Sequence, residues 1–192
     1  MRSGTAFLLA ALAVIALPTV STPARADIEI DLLSRNPMLP AVRQGNVAQV
    51  RSLLLTGRSP DVADAQHRTA LMLAAAAGNV GVAELLIEYG ADVKAEDVRG
   101  YTALHEAAAA DEIELVEMLI DAGAPLDAAD RYGATPLMLA AASERGRTVS
   151  LLLEAGADRH LQDYTGRTAL DWARDRGNRR AERLLSEDGG GD

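Results

Sequence analysis

Thr102-Ala-Leu-His-Glu-Ala107 is the stretch that decides the fold, because versions of it recur along the chain at a constant spacing. The versions begin 33 residues apart, at Thr69, Thr102, Thr135 and Thr168. Glycines follow the same step in two further series, which are Gly57, Gly90, Gly123, Gly156 and Gly189, and Gly100, Gly133 and Gly166. Three series in phase at one period indicate a tandem array of similar structural units.

Each landmark in the unit predicts a piece of local structure. The threonine is expected to cap a helix, since its hydroxyl can accept a hydrogen bond from a free N–H in the first turn. The leucine two residues later should point inward, and the alanine pair after it lets neighbouring helices approach closely. A second apolar helix ends at a glycine that suits a left-handed cap. One unit cannot bury its apolar face alone, so we expect a stack of units, an all-α repeat solenoid.

The unit resembles the ankyrin repeat in its period and in the T-P-L-H-x-A signature, which the stretches at Thr102 and Thr135 match most fully. The resemblance implies helix–turn–helix units joined by hairpin-like finger loops. Five repeats are predicted, at residues 36–68, 69–101, 102–134, 135–167 and 168–186, with a flexible tail at 187–192.

Some positions depart from the repeat pattern. Gly45, Gly78 and Gly177 occupy the turn between the two helices in three repeats, whereas Asp111 and Glu144 occupy it in the other two. We expect Gly146 to take over the turn of the fourth repeat. In the first repeat, Asn36 is predicted as the helix cap and Pro37 as the first helical residue.

The first 26 residues are predicted to be a secretory signal peptide. Arg2 is followed by the apolar run 7–17 and by Ala24-Arg25-Ala26, so cleavage is expected after Ala26. The run is shorter than the roughly 20 residues that span a bilayer, which makes an uncleaved anchor the less favoured alternative. Residues 27–35 would then cover the open end of the first repeat. We expect a periplasmic protein of a bacterium, with secretion from the cell as the alternative.

Composition excludes several classes of partner. The chain carries a net charge of −9, so phosphate backbones and anionic lipid surfaces should repel it. We therefore expect no nucleic-acid partner and no membrane insertion after signal cleavage, and we expect a monomer. The absence of cysteine excludes disulfides and thiolate metal sites.

The sequence contains no convincing catalytic or metal-binding constellation. His67, His105 and His160 fall at different phases of the repeat, so stacking would not bring them together. A metal site needs three or four converging ligands, and none is predicted. His105 occupies the histidine position of the signature, where the resemblance implies that it ties loop backbone together. We expect neither an enzyme nor a cofactor.

The resemblance places partner binding on the finger tips and on the exposed side of the first helices, a concave groove. The positions of this chain that match are Gln66, Arg68, Tyr89, Arg99, Tyr101, Arg131, Tyr132, Tyr164 and Arg167. Tyrosine and arginine are enriched at binding hot spots, so the set indicates a surface for another protein, one with an acidic patch. The bland alternative is that finger tips are simply polar. Alanines at 76, 77, 109, 110 and 142 would form the floor of the groove.

The function expected from this surface is protein binding in the periplasm. Resemblance to exported bacterial ankyrin proteins suggests one alternative, an accessory or protective factor for an oxidative-stress enzyme such as a catalase. Further alternatives are an immunity-type inhibitor of a toxin and an effector delivered to a host cell.

Overall fold

A computed structural model describes residues 37–143 and 146–186 of the chain. The predicted signal peptide, the cap segment 27–35 and the tail 187–192 lie outside the described residues, as does Glu144. Within the described ranges no helix is both long and apolar enough to cross a bilayer.

The described residues form ten short helices, two in each predicted repeat, and no strand beyond an isolated bridge between Ala63 and Thr69. The helices are α1 Met38–Arg43, α2 Val47–Leu55, α3 Ala70–Ala76, α4 Val80–Glu88, α5 Ala103–Ala110, α6 Ile113–Asp121, α7 Pro136–Ala142, α8 Thr148–Glu154, α9 Ala169–Arg176 and α10 Arg179–Ser186. The predicted all-helical repeat architecture is confirmed.

Threonine caps set where the first helices of repeats two to five begin. The hydroxyl of Thr69 accepts the Met72 N–H at 3.2 Å, and the hydroxyl of Thr102 accepts the His105 N–H at 3.4 Å. Thr135 and Thr168 cap α7 and α9 in the same way. In the first repeat the predicted cap, Asn36, lies outside the described residues. Pro37 was predicted as the first helical residue, but α1 begins at Met38 and Pro37 is the residue before it.

Asp111 stands in a turn position that three other repeats fill with glycine, and it adopts the left-handed conformation with φ of 55°. Hydrogen bonds hold its side chain there. Oδ1 accepts the Thr148 N–H at 2.9 Å, and Oδ2 accepts the Arg147 Nε–H at 2.9 Å. Asp111 therefore joins the third repeat to the fourth. Gly146, as expected, takes a positive φ of 55° in the fourth.

The core lies between two layers of stacked helices. Each first helix (α1, α3, α5, α7, α9) contacts the first helix of the next repeat. Each second helix likewise contacts the second helix of the next repeat. The alanine pairs are what allow close stacking, since Ala107 and Ala108 are completely buried. Full burial of a leucine such as Leu104 stabilises the fold by about 1.5–3 kcal/mol.

The last repeat is polar where the inner repeats are apolar. Arg174 is exposed at the position that Ala141 fills, fully buried, one repeat earlier. Glu182 is half-buried at the position of the buried Val149. These charged side chains would be costly to bury beneath a sixth unit, so they end the stack.

Candidate functional site

Each finger is built around one aspartate that is buried or nearly so, a series that the sequence analysis did not single out. In the second finger, Oδ1 of Asp97 accepts the backbone N–H of Arg99 at 2.7 Å and that of Tyr101 at 3.0 Å. The equivalent residues are Asp64, Asp130 and Asp163, which bind the same two N–H groups in their own fingers. Their constant spacing of 33 residues was the signal that could have revealed them.

A row of backbone hydrogen bonds joins the four finger tips. In each bond an N–H of one finger donates to a carbonyl of the finger before it, from Val98 to Gln66 at 3.1 Å, from Arg131 to Arg99 at 2.8 Å and from Tyr164 to Tyr132 at 2.9 Å. Residues about one period apart are therefore direct neighbours along this edge of the molecule.

Three of the four predicted arginines are ion-paired within their own fingers. Arg68 binds Asp64 at 2.7 Å, and Arg167 binds Asp163 at 3.0 Å. Arg99 lies between Asp97, at 3.0 Å, and the carboxylate of Glu106, at 3.1 Å. These guanidinium groups are held in fixed positions, and their charge is largely neutralised.

Asp97 and Asp163 are kept ionised by this arrangement. Burial alone would raise the pKa of Asp97, but hydrogen bonds from Tyr101 and Arg99 outweigh it, and the pKa lies below its usual value. The pKa of Asp163 is lowered more strongly, because Thr165, Arg167 and Trp172 all donate to its carboxylate against the effect of burial.

Arg131 differs from the other three arginines. Its Nη2 donates to the Tyr132 hydroxyl at 2.7 Å, and its guanidinium lies 4.7 Å from the centre of that ring. No carboxylate of residues 37–143 or 146–186 lies within 4.0 Å of it. The Arg131 side chain is exposed, and its charge is therefore not neutralised by any carboxylate of the described ranges.

Predicted residues and one that was not predicted, Glu106, lie together where the second finger meets α5. The Arg99 guanidinium is 4.1 Å from the ring centre of Tyr101, and that ring stacks on His105 at 5.1 Å. Burial raises the pKa of Glu106, while Arg99 and, more weakly, Arg68 oppose the effect. We call Arg68, Arg99, Tyr101 and Glu106 the groove cluster.

His105 fastens the third finger to its own helix and is completely buried. Nδ1 accepts the Thr102 N–H at 3.1 Å, so Nε2 carries the proton and donates to the Ala134 carbonyl at 3.2 Å. Burial lowers the pKa of the imidazole and keeps it neutral. The structural role predicted for His105 is confirmed. In the described part of the chain no three His, Cys, Asp or Glu side chains are grouped so as to hold a metal ion.

Tyr89 is the predicted residue that lies at the end of a second helix and not on a finger. It caps the C-terminal end of α4, is half-buried and packs against the core. Among the described residues it makes no ring contact and no side-chain hydrogen bond with the other eight.

Comparison with known proteins agrees with this architecture. A family model described as ankyrin repeats in three copies matches residues 38–130 and, in a second match, residues 114–191. The chain belongs to the ankyrin-repeat family. Ankyrin repeats generally mediate protein–protein interaction, and the family is typically non-catalytic. No match is found among curated proteins.

The ankyrin fingers expose a row of large side chains. Tyr132 is 59% exposed and Tyr164 is 76% exposed. Val98, which sequence reasoning missed, is 57% exposed and shares its repeat phase with Arg131 and Tyr164. We call Val98, Arg131, Tyr132 and Tyr164 the tip ridge.

The remaining predicted residues of the ankyrin surface lie beside these two groups. Arg167 is 5.1 Å from the Trp172 ring, whose Nε1–H donates to Asp163 at 2.9 Å. Gln66 forms the exposed tip of the first finger. The predicted floor alanines 76, 77, 109 and 110 are exposed at the ends of α3 and α5, and Ala142 is half-buried.

Proposed function

We propose that this ankyrin-repeat protein is a non-catalytic module that holds another protein against its fingers and first helices. The observation that carries the proposal is the row of hydrogen bonds between the tips, since it sets arginine and tyrosine side chains of successive fingers side by side. Tyrosine and arginine are the residue types that most often supply binding energy at protein interfaces.

The predicted residues contribute to binding in two ways. Arg68, Arg99 and Arg167 fix the shape of the surface through their own carboxylates. Arg131 offers its guanidinium to the partner, which supports a partner with an acidic patch. Ordered side chains lose little conformational freedom on binding, so the surface is prepared for its partner.

We place this interaction in the periplasm, after cleavage following Ala26, with a single copy of the chain as the binding unit. The predicted signal sequence supports this location. An accessory role beside an oxidative-stress enzyme, or inhibition of a toxin, would use the same surface. The identity of the captured partner distinguishes these alternatives.

The test is capture of partners from a periplasmic extract by the tagged mature chain. Changing Arg99→Glu and Arg131→Glu together should weaken capture by about 30-fold or more, the size expected of hot-spot residues. Arg51→Glu with Arg180→Glu is the matched control, because both arginines are exposed and belong to second helices and not to the fingers.

Folding must be measured separately, since Arg99 pairs with a fully buried carboxylate of Asp97. A second variant, Tyr132→Ala with Tyr164→Ala, changes only exposed rings and should reduce capture without loss of helical circular dichroism. Equal capture by wild type and both double variants would refute the proposed binding surface.

A further inference from the structure

The tip ridge holds three of the four exposed large apolar side chains of the described residues; the fourth is Leu55 on α2. Aromatic and aliphatic side chains gathered on one exposed edge cost solubility without stabilising the core. Their grouping on three successive fingers indicates a surface that is covered when the protein works.

The ridge is ordered before anything binds. The Tyr164 ring lies against the tip of the preceding finger, so closely that a Cβ on Gly133 would stand 2.8 Å from Cδ1 of the ring. Tyr132 is held through its hydroxyl by Arg131. Rigid tyrosines give a large contact area at a small entropic cost.

The charge on the tip ridge comes from one residue, Arg131. Arg68, Arg99 and Arg167 already have carboxylates, whereas Arg131 uses one N–H on the Tyr132 hydroxyl and keeps the rest of its fork. A guanidinium stacked on an aromatic ring and open on one edge matches a carboxylate bidentately. Asp130, in the same finger, is buried and directed at its own backbone, so it does not occupy that edge.

We propose that the tip ridge binds an extended or looped segment of the partner protein that carries one carboxylate flanked by apolar side chains. The carboxylate pairs with Arg131, and the apolar side chains pack on Tyr132 and Tyr164 on one side and on Val98 on the other. This inference rests on the proposed binding function and names the chemistry of the partner. A uniformly acidic segment fits less well, because the neighbouring arginines are already neutralised.

The test uses a displayed library of random linear peptides selected on the folded mature chain. Enriched peptides should share an aspartate or glutamate next to aliphatic or aromatic residues. A synthetic peptide of that consensus is then measured by fluorescence anisotropy beside a copy in which the carboxylate is replaced by its amide, and the amide should bind about tenfold more weakly or worse.

Variants of the chain locate the peptide on the ridge. Arg131→Glu and Tyr164→Ala should each weaken the consensus peptide at least about tenfold, and Arg131→Lys should do so less, because lysine keeps the charge but not the fork. Arg180→Glu is the matched charge control. A peptide in which lysine replaces the carboxylate should regain binding to Arg131→Glu.

Three results would overturn the proposal. The first is enrichment of basic or carboxylate-free peptides. The second is an affinity that is unchanged when the peptide carboxylate becomes an amide or when Arg131 becomes glutamate. The third is failure to enrich any peptide family. If Glu106→Gln in the groove cluster changed peptide affinity and the ridge variants did not, the tip ridge would be refuted as the binding site. Protein binding as the function would not be refuted by that result. If the wild-type chain captured no protein from the periplasmic extract, the proposed binding function itself would be refuted.

Discussion

His105 shows what a single position of the repeat requires. Its Nδ1 accepts the N–H of the capping threonine, Thr102. In the second repeat the sulfur of Met72 accepts the equivalent N–H at 3.4 Å, and in the fifth the carboxylate of Asp171 does so at 3.0 Å. The bond therefore does not require an imidazole. The fourth repeat lacks it, because Thr135 accepts the Met138 N–H but no capping box forms there.

Removal of that acceptor should be costly. His105→Ala leaves the buried Thr102 N–H without a partner and should lower the free energy of unfolding by about 1–3 kcal/mol in urea denaturation at neutral pH. The pKa of His105 is lowered in the folded state, so its stabilising contribution is present above pH 6.5 and is lost as the pH falls through the folded-state pKa. His105→Met, which copies the second repeat, should show a smaller loss of stability between pH 7 and pH 5. If the free energy of unfolding fell equally between pH 7 and pH 5 in the wild type and in His105→Met, His105 would not be the source of this pH dependence.

At the scale of the element, the sequence predicted the helices better than it predicted the fingers. The period located the caps at Thr69 and Thr102, because a capping hydroxyl acts on N–H groups three residues away. The pairing of Arg99 with Asp97 and Glu106 was not predictable, since it depends on how the finger folds back on α5. The sequence therefore identified the groove residues by their type. Only the structure showed that carboxylates neutralise the charge of Arg99.

The turns between paired helices carry links of measurable strength. Asn46 accepts the Gln49 N–H at 3.0 Å and donates to the Gln49 side chain at 3.3 Å, both within its own repeat. Asn178 accepts the Ala181 N–H at 3.1 Å and also donates to the carbonyls of Ala141 and Ser143 in the preceding repeat.

We expect Asn46→Ala to cost about 1 kcal/mol, and Asn178→Ala to cost about 2–4 kcal/mol because two carbonyls also lose their donor. Urea denaturation of the two variants measures the difference. If the two substitutions cost the same, the links from Asn178 to the fourth repeat add nothing to stability.

Over residues 37–143 and 146–186, the main contacts of each repeat are with its neighbours in sequence, so these residues form a linear stack. The sequence predicted this arrangement from its period alone. Tyr89 caps a second helix, whereas Tyr101, Tyr132 and Tyr164 lie on fingers, and a shared period alone does not fix whether two such positions have a common face. Stability in such a stack is the sum of each unit and its interfaces.

Hydrogen exchange should reveal this linear order. Amides of α5 and α6, in the middle repeat, should exchange most slowly, and those of α9 and α10 faster, since the last repeat has one neighbour where the middle repeat has two. Mass spectrometry of peptides after exchange measures the gradient. Leu104→Ala, at a fully buried position in α5, should accelerate exchange in α3 and α7 more than in α1. A uniform rate along the chain would indicate a single cooperative unit.

The bonds between neighbouring finger tips use only main-chain atoms, so they do not depend on which side chains the tips present. Valine, arginine and tyrosine already stand at one and the same phase of successive fingers here. Evolution can therefore exchange these side chains one at a time, and a designer can randomise them, while the junctions keep their geometry. Specificity and stability are separately adjustable in this scaffold.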